Sequence, residues 1–121
     1  MPSPATVEAF VATVEAEDYV GAIERFYVAD ASMRENLTAP RVGRDVLALG
    51  ERHMLAQFER IAAERRGPPL ISGDHVAIRW HFEFFVAGAC IRTLDEIAWQ
   101  VWRGEQIVEE VFFYDPSQMK G

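Results

Sequence analysis

The spacing of the hydrophobic residues changes at about residue 70, and this change restricts the fold more than any other feature of the chain. Beyond it, apolar and polar residues alternate in three long segments, at about 75–86, 91–103 and 107–114. Alternation with a period of two is the pattern of a β-strand that buries one face. The short turns between the segments predict an antiparallel meander, to which residues 70–73 add another short strand.

Before residue 70 the apolar residues recur every three or four positions, which places them on one side of a helix. One such stripe lies in residues 5–16. A second begins after Asp18, a residue type that caps helices, and ends near Asp30. A third helix is predicted over residues 44–66, and the Gly-Pro-Pro that follows ends it.

This order of elements predicts the fold class. Helices that come first and strands that come afterwards favour an α+β domain, here with three N-terminal helices packed on a curved, mainly antiparallel sheet. Residues 32–37 are a candidate edge strand of that sheet. A chain of 121 residues has the length of one domain, so we expect a single domain over residues 1–121.

The charge of the chain restricts its partners. Nineteen acidic against 12 basic residues give a formal net charge of -7, which repels phosphate backbones and anionic membranes. Neither nucleic acid nor a membrane is therefore an expected partner. Cys90 is the only cysteine, and no Cys/His pattern with zinc-ligand spacing is present. With no secretory leader or long apolar run in the sequence, we expect a cytoplasmic protein without a metal.

Acidic residues in the closing hairpin are the most informative feature for function. A two-residue turn that begins at Gly104 would pair Trp99 with Glu110 and Asp95 with Tyr114. Because cross-strand neighbours share a face, these four side chains are predicted on one mostly apolar face of the sheet.

A carboxyl group on an apolar face is unfavourable unless it is paired, hydrogen-bonded or protonated. Two such acids in one cavity acquire raised and separated pKa values, so that one donates and the other accepts a proton near neutral pH. Asp95 and Glu110 are the first candidate catalytic residues, and Tyr114 adds a hydroxyl. A one-residue slip or a bulge would exchange Asp95 for Glu96, which is the third candidate. The alternative is that these acids pair with arginines or contact water at the open end of the sheet.

The strand at 75–86 supplies candidate ligand contacts. Its alternation places Trp80 and Phe82 on the inner face with other apolar residues, and His81 on the opposite, polar face. The indole N–H of Trp80 needs a partner when buried, which makes this residue a candidate ligand contact as well as a packing residue. Glu35 joins the acid cluster if it lines the cavity mouth; otherwise it belongs to a polar turn with Asn36 in a left-handed conformation.

Several segments carry a family resemblance, namely "RFYVADASMRENL", "VGRDVLAL", "GDHVAIRWHFEF" and "VWRGEQIVEEVFFYDP". With them the chain resembles the SnoaL-like branch of the nuclear transport factor 2-like superfamily, the cone-shaped fold shared with ketosteroid isomerases and polyketide cyclases. The resemblance implies an internal pocket that often holds an acid as base and a second acid or tyrosine as hydrogen-bond donor. The matching positions are Asp95 or Glu96 on the middle strand, and Glu110 and Tyr114 on the last strand. It also implies a homodimer formed through the sheet.

Together these features predict a small, cofactor-free enzyme of isomerase, cyclase or lyase type that acts on a hydrophobic, oxygenated small molecule. Glu110 or Asp95 would remove a proton next to a carbonyl, and the other acid would stabilise the oxyanion. Trp80, Phe82 and Trp99 would hold the apolar body of the substrate. The alternative is a non-catalytic ligand-binding or dimeric structural module of the same fold.

Overall fold

The computed structural model describes residues 1–120, which form three helices, seven strands and a short 3₁₀ turn. The helices are α1 (Pro4–Glu15), α2 (Tyr19–Phe26) and α3 (Arg44–Leu55). The strands are β1 (Tyr27–Glu35), β2 (Arg41–Val42), β3 (Arg60–Arg65), β4 (Leu70–Ser72), β5 (His75–Val86), β6 (Ala89–Arg103) and β7 (Gln106–Phe113). The 3₁₀ turn spans Pro116–Met119.

The strands form one mixed sheet in the order β2-β1-β7-β6-β5-β3, and β4 pairs with β5 beside this path. β1 runs parallel to β7, whereas the other pairs are antiparallel. In the core between helices and sheet, the Phe10 ring packs edge-on against Trp102, with centroids 6.1 Å apart. The predicted α+β class is confirmed. Within residues 1–120, the helices are all too short or too polar to span a membrane.

Side-chain caps determine where the first two helices begin. The Ser3 hydroxyl accepts a hydrogen bond from the Thr6 N–H at 3.1 Å, and the Asp18 carboxylate accepts one from the Gly21 N–H at 3.1 Å. These bonds satisfy N–H groups that have no partner inside a helix. α2 ends at Phe26 and the chain continues directly into β1, so the predicted helix end near residue 30 is wrong.

The predicted third helix is wrong beyond Leu55. Residues 60–65 form β3, which pairs antiparallel with β5 and buries Ile61 under the helices. The Gly-Pro-Pro after residue 66 stops a strand as well as a helix, so it did not distinguish the two. Arg65, which the sequence placed at a helix end, forms an ion pair from this strand with Glu15 of α1 at 2.7 Å.

α3 packs on the core with only a few of its apolar residues. Leu47 and Ala48 are buried, whereas Val46 is 53% exposed and His53 is also exposed. Because residues four apart share one side of a helix, the inner side continues from Leu47 to Glu51. The helix therefore brings a glutamate toward the sheet.

The hairpin of β6 and β7 contains a bulge in β7, whose position the sequence pattern does not indicate. Trp102 pairs with Ile107, as the turn predicted, but Val101 pairs with Glu109, so Val108 is the extra residue. Beyond the bulge Gln100 pairs with Glu110. An extra residue changes which side chains share a face.

The bulge changes which residues of β6 share a face with Glu110. Glu96 and Trp102 are buried toward the helices, at 8% and 1% exposure, whereas Trp99 is 41% exposed on the outer face. Asp95 is also exposed. The inward orientation predicted for Asp95 and Trp99 is therefore wrong. Trp102, which pairs with Ile107 next to the turn, faces the core, and alternation along β6 from Trp102 places the odd-numbered residues on the outer face. Glu110 still faces inward, since the extra residue reverses the alternation of β7.

Candidate functional site

A cavity of about 190 Å³ lies between the helices and the inner face of the sheet. Most of its wall is apolar and aromatic, and its charged groups are four carboxyl groups and one guanidinium group. The polar and aromatic side chains in the wall are Phe10, Tyr19, Tyr27, Glu35, Arg41, Glu51, Trp80, Phe82, Phe84, Glu96, Glu110, Phe112 and Tyr114.

Glu110 is the most deeply buried of these acids, at 2% exposure. One of its oxygens accepts a hydrogen bond from the Tyr27 hydroxyl, and the other accepts one from Gln100 Nε2 at 2.7 Å. The amide of Gln100 is oriented in turn by Trp102, whose Nε1 donates to Gln100 Oε1 at 2.9 Å. Glu110 is therefore fixed by a network that reaches back into the core.

Burial raises the pKa of Glu110 to about 7, although the hydrogen bonds from Tyr27 and Gln100 favour the ionised form. Burial and the charge of Glu110 raise the pKa of Tyr27 well above its ordinary value, so this hydroxyl stays protonated and donates. Near neutral pH, Glu110 lies close to the midpoint of its titration.

Glu96 has a different environment in the same cavity. It is 8% exposed, and its Oε2 atom is fully buried without a hydrogen-bond partner within residues 1–120. Burial, together with the negative charges of Glu110, Glu35 and Glu51, raises the pKa of Glu96 to about 8. A buried oxygen without a donor favours the protonated acid and leaves the group free to exchange a proton with a ligand.

The mouth of the cavity carries an ion pair. Both terminal nitrogens of Arg41 donate to Glu35, at 2.7 and 2.8 Å, and the two side chains are 40% and 35% exposed. Glu51 of α3 lies beside this pair, and burial raises the pKa of Glu51. Burial also raises the pKa of the Tyr114 hydroxyl, which remains a donor at neutral pH. Four polar groups therefore surround the entrance.

Tyr114 is held by the turn that follows β1. The backbone N–H of Tyr114 donates to Asn36 Oδ1 at 3.1 Å, and Asn36 adopts the predicted left-handed conformation with φ of 51°. The turn thus connects the end of β1 to the residue after β7. Glu35, the residue before Asn36, lies in the cavity wall and is ion-paired, so the two alternatives that the sequence left open are both present.

Aromatic rings form the wall opposite α1. Trp80 is 2% exposed and packs against Phe82 with ring centroids 5.8 Å apart; Phe82 packs in turn against Tyr19 at 6.5 Å. Trp80 and Phe82 therefore lie where the sequence placed them, and their role as ligand contacts stays a prediction.

Asp95 and Trp99 lie outside the cavity, on the other face of the sheet. Asp95 Oδ1 is 2.9 Å from His81 Nδ1, and Trp99 stacks on His75 with centroids 5.1 Å apart. Because adjacent residues of β6 point to opposite faces, Glu96 occupies the position that the straight register gave to Asp95. The alternative that the sequence left open for Glu96 is the one that the backbone adopts.

Four polar wall residues or their partners were missed in the sequence: Tyr27, Arg41, Glu51 and Gln100. Tyr27 belongs to the apolar stripe of the second predicted helix and Glu51 lies inside the third, so neither position indicated a cavity. Gln100 could have been found, because it is an even number of positions from Glu96 and Trp102 and so shares one face of the strand with them. Arg41 had none, since its pairing with Glu35 depends on the geometry of the turn between β1 and β2.

The C-terminal 3₁₀ turn borders the cavity beyond the end of β7. The Gln118 amide accepts from the Asp95 N–H at 2.9 Å and donates to the Asp95 carbonyl at 3.0 Å. This pair of bonds satisfies backbone groups of β6 where β7 has ended. It holds Met119 in the cavity wall. Within residues 1–120, no three His, Cys, Asp or Glu side chains are grouped so that they could hold a metal ion.

Comparisons with known proteins identify the fold. No protein-family model matches the chain, and no curated protein matches it. Among solved structures, a SnoaL-like protein from Mesorhizobium loti has a TM-score of 0.74 and 21% identity over 91% of this chain and 97% of that one. TerC co-crystallised with polyporic acid has a TM-score of 0.78 and 16% identity, covering 97% and 95% of the two chains.

A third structure has a ketosteroid isomerase-like fold, comes from Catenulispora acidiphila DSM 44928 and is in complex with trimethylamine. Its TM-score is 0.77, with 21% identity over 96% of this chain and 89% of that one. The chain therefore has the cone-like α+β fold of the SnoaL-like and nuclear transport factor 2-like proteins, as the sequence indicated. Identities at this level identify the fold and leave the activity open.

Proposed function

We propose that this protein is an acid-base enzyme of the isomerase, cyclase or lyase type, acting on a small hydrophobic carbonyl compound. One observation carries the proposal: Glu96 and Glu110 lie in the wall of one apolar cavity, and only Glu110 has its oxygens hydrogen-bonded. Acids that share a cavity but differ in their surroundings divide the tasks of proton transfer between them.

Glu96 is the proposed general base. Within residues 1–120 its buried Oε2 atom has no protein donor, and a base with a pKa of about 8 is matched to proton transfer near neutral pH. The Tyr114 hydroxyl is the proposed donor to the oxyanion that forms when the carbon next to the carbonyl loses its proton. Glu110 would act through Glu96, because its negative charge raises the pKa of Glu96.

The size of the cavity restricts the substrate. Cavities of about 150 Å³ in proteins take up benzene, so 190 Å³ fits a compound with one ring better than a four-ring steroid. Trp80, Phe82 and Phe84 would contact the apolar body of such a compound. The similar structures crystallised with polyporic acid and with trimethylamine support the binding of small molecules by this fold.

A specific observation favours a second candidate, a ligand-binding module without catalysis. Both oxygens of Glu110 accept hydrogen bonds within the protein, from Tyr27 and Gln100. Such a network also stabilises a core without any reaction. The two candidates differ in whether Glu96 exchanges protons with the ligand.

A carboxyl-carbon NMR titration tests the proposal, with Glu96→Gln and Glu110→Gln used to assign the signals. We expect midpoints near pH 8 for Glu96 and pH 7 for Glu110. Glu110→Gln should lower the midpoint of Glu96, because it removes a negative charge. Glu109→Gln, an exposed neighbour on the outer face, should leave it unchanged and serves as the matched control.

Deuterium exchange into single-ring ketones then distinguishes the enzyme from the binding module. We expect exchange next to the carbonyl that falls by roughly 100-fold or more in Glu96→Gln, with kcat/KM rising with pH and levelling above about 8. Exchange that persists in Glu96→Gln, or a Glu96 midpoint near the ordinary 4.5, would rule out this base.

A further inference from the structure

The charged groups of the cavity are unbalanced. Its wall contains Glu35, Glu51, Glu96 and Glu110, but only one cation, Arg41. Arg41 is already engaged, because both of its terminal nitrogens bind Glu35. The other three carboxyl groups therefore face the cavity without an ion pair within residues 1–120, and the charge of Arg41 acts on Glu51 only at longer range.

Two of these three acids also lack hydrogen bonds. Glu96 Oε2 is fully buried and unpartnered, and within residues 1–120 Glu51 has neither an ion pair nor a side-chain hydrogen bond. They lie on opposite elements, Glu96 on β6 and Glu51 on α3, and the charge of Glu51 contributes to the raised pKa of Glu96. A positive charge between them would remove the penalty that each carboxylate has in an apolar site.

The rest of the wall also suits a cation. Aromatic faces attract ammonium groups when water is excluded, and cages of such rings are used to bind quaternary ammonium ligands. Within residues 1–120, eight aromatic residues line this cavity, among them Trp80, Phe82 and Phe84 of β5. Rings and carboxylates together define a site for a small apolar body that carries a positive charge.

We propose that the ligand of this cavity is a small organic cation, a carbonyl compound that carries an amine or a quaternary ammonium group, whose charge lies between Glu96 and Glu51 against the aromatic wall. The inference deepens the proposed function and rests on it, because it names the substrate class of the same site. A cation beside Glu96 favours the carboxylate, so the bound substrate would itself ionise the proposed base at neutral pH.

Two ligands of the same shape, one charged and one neutral, test the effect of ligand charge on binding. Phenyltrimethylammonium has a permanent charge, and tert-butylbenzene is its neutral isostere. Binding is measured by NMR, with the Trp80 indole signal and the Met33 methyl signal reporting occupation of the cavity wall. At pH 9 we expect the cation to bind at least about tenfold more tightly than the isostere.

The preference for the cation should decrease toward pH 5, because Glu96 and Glu110, with pKa values of about 8 and about 7, become protonated. Burial raises the pKa of Glu51 in the same direction. Glu96→Gln and Glu51→Gln should each reduce the preference several-fold, and neither should weaken binding of tert-butylbenzene. Glu109→Gln removes the same charge from the outer face and should leave the preference unchanged, which separates a local effect from the net charge of the protein.

Equal or tighter binding of the neutral compound at pH 9 overturns the proposal, and so does failure of both compounds to perturb the Trp80 and Met33 signals. The proposal is also overturned if the preference for phenyltrimethylammonium over tert-butylbenzene is unchanged in both Glu96→Gln and Glu51→Gln. If neutral ketones exchange deuterium with dependence on Glu96 while no cation preference exists, the cation proposal fails alone. If Glu96 titrates near its ordinary value and the cation is still preferred, the base assignment fails and the cation site stands.

Discussion

Replacing Glu96 by Gln should change the stability of the protein in opposite directions at low and at high pH. In the folded protein the pKa of Glu96 is about 8, against 4.5 for the ordinary group. Between these values the folded state binds more protons than the unfolded state, so the wild type loses stability as pH rises from about 4.5 to above 8. The variant has no such loss, because a glutamine does not titrate.

The size of this change in the unfolding free energy follows from the difference between the folded and unfolded pKa of Glu96. A difference of 3.5 units between 4.5 and 8 corresponds to roughly 5 kcal/mol as an upper limit, of which roughly 4 kcal/mol falls between pH 5 and pH 9. The glutamine leaves a buried amide without partners, which costs about 1 to 3 kcal/mol at every pH. We therefore expect the variant to be less stable than the wild type at pH 5 by up to about 2 kcal/mol, and more stable at pH 9 by about 2 to 4 kcal/mol.

Urea unfolding at pH 5, 7 and 9 measures this reversal, provided that the dependence of the unfolding free energy on urea is the same for both proteins. Glu109→Gln is the control, since its exposed side chain should give no reversal. The reasoning is refuted if the unfolding free energies of Glu96→Gln and the wild type differ by the same amount and in the same direction at all three pH values. Glu96 would then not titrate as a buried, unpartnered acid.

Two further predictions follow from the network and from the outer face. Tyr27→Phe removes a donor that favours ionised Glu110, so the carboxyl midpoint of Glu110 should rise above 7 in an NMR titration; an unchanged or lower midpoint contradicts the assigned hydrogen bond. The outer face exposes Ile97, Trp99 and Phe113 at 41 to 47%, and we expect a homodimer through it, with a light-scattering mass twice 13.7 kDa that Trp99→Glu reduces to that of one chain. A wild-type mass of one chain at micromolar concentration would refute the dimer.

The sequence predicted those parts of the fold that depend on local pattern. The strand at 75–86 and the turn that begins at Gly104 were found because alternation and glycine conformation are properties of neighbouring residues. Asn36 was found for the same reason. The third helix was predicted too long because residues 60–65 contain apolar residues that fit a helical stripe as well as a strand, and only pairing with β5 decides between them.

The candidate site could be predicted only in part, for a related reason. Glu110 and Tyr114 were assigned to the cavity wall, and Glu96 was named as the alternative to Asp95, but the choice between the two acids depended on a bulge. A bulge is set by the packing of both faces of a sheet and leaves no local mark in the strand itself. The role of Tyr27 was not predicted for another reason. Its hydroxyl donates a hydrogen bond to Glu110, which is 83 positions away in the sequence.

The extra residue at Val108 also affects how this chain is aligned with proteins of the same fold. A related hairpin without the bulge has one residue fewer between the turn and the inward-facing acid. Aligned without a gap, the acid of that relative falls in the column of Glu109, an exposed residue, rather than in the column of Glu110. Whether a gap is allowed at this single position therefore decides which glutamate an alignment of these proteins marks as equivalent.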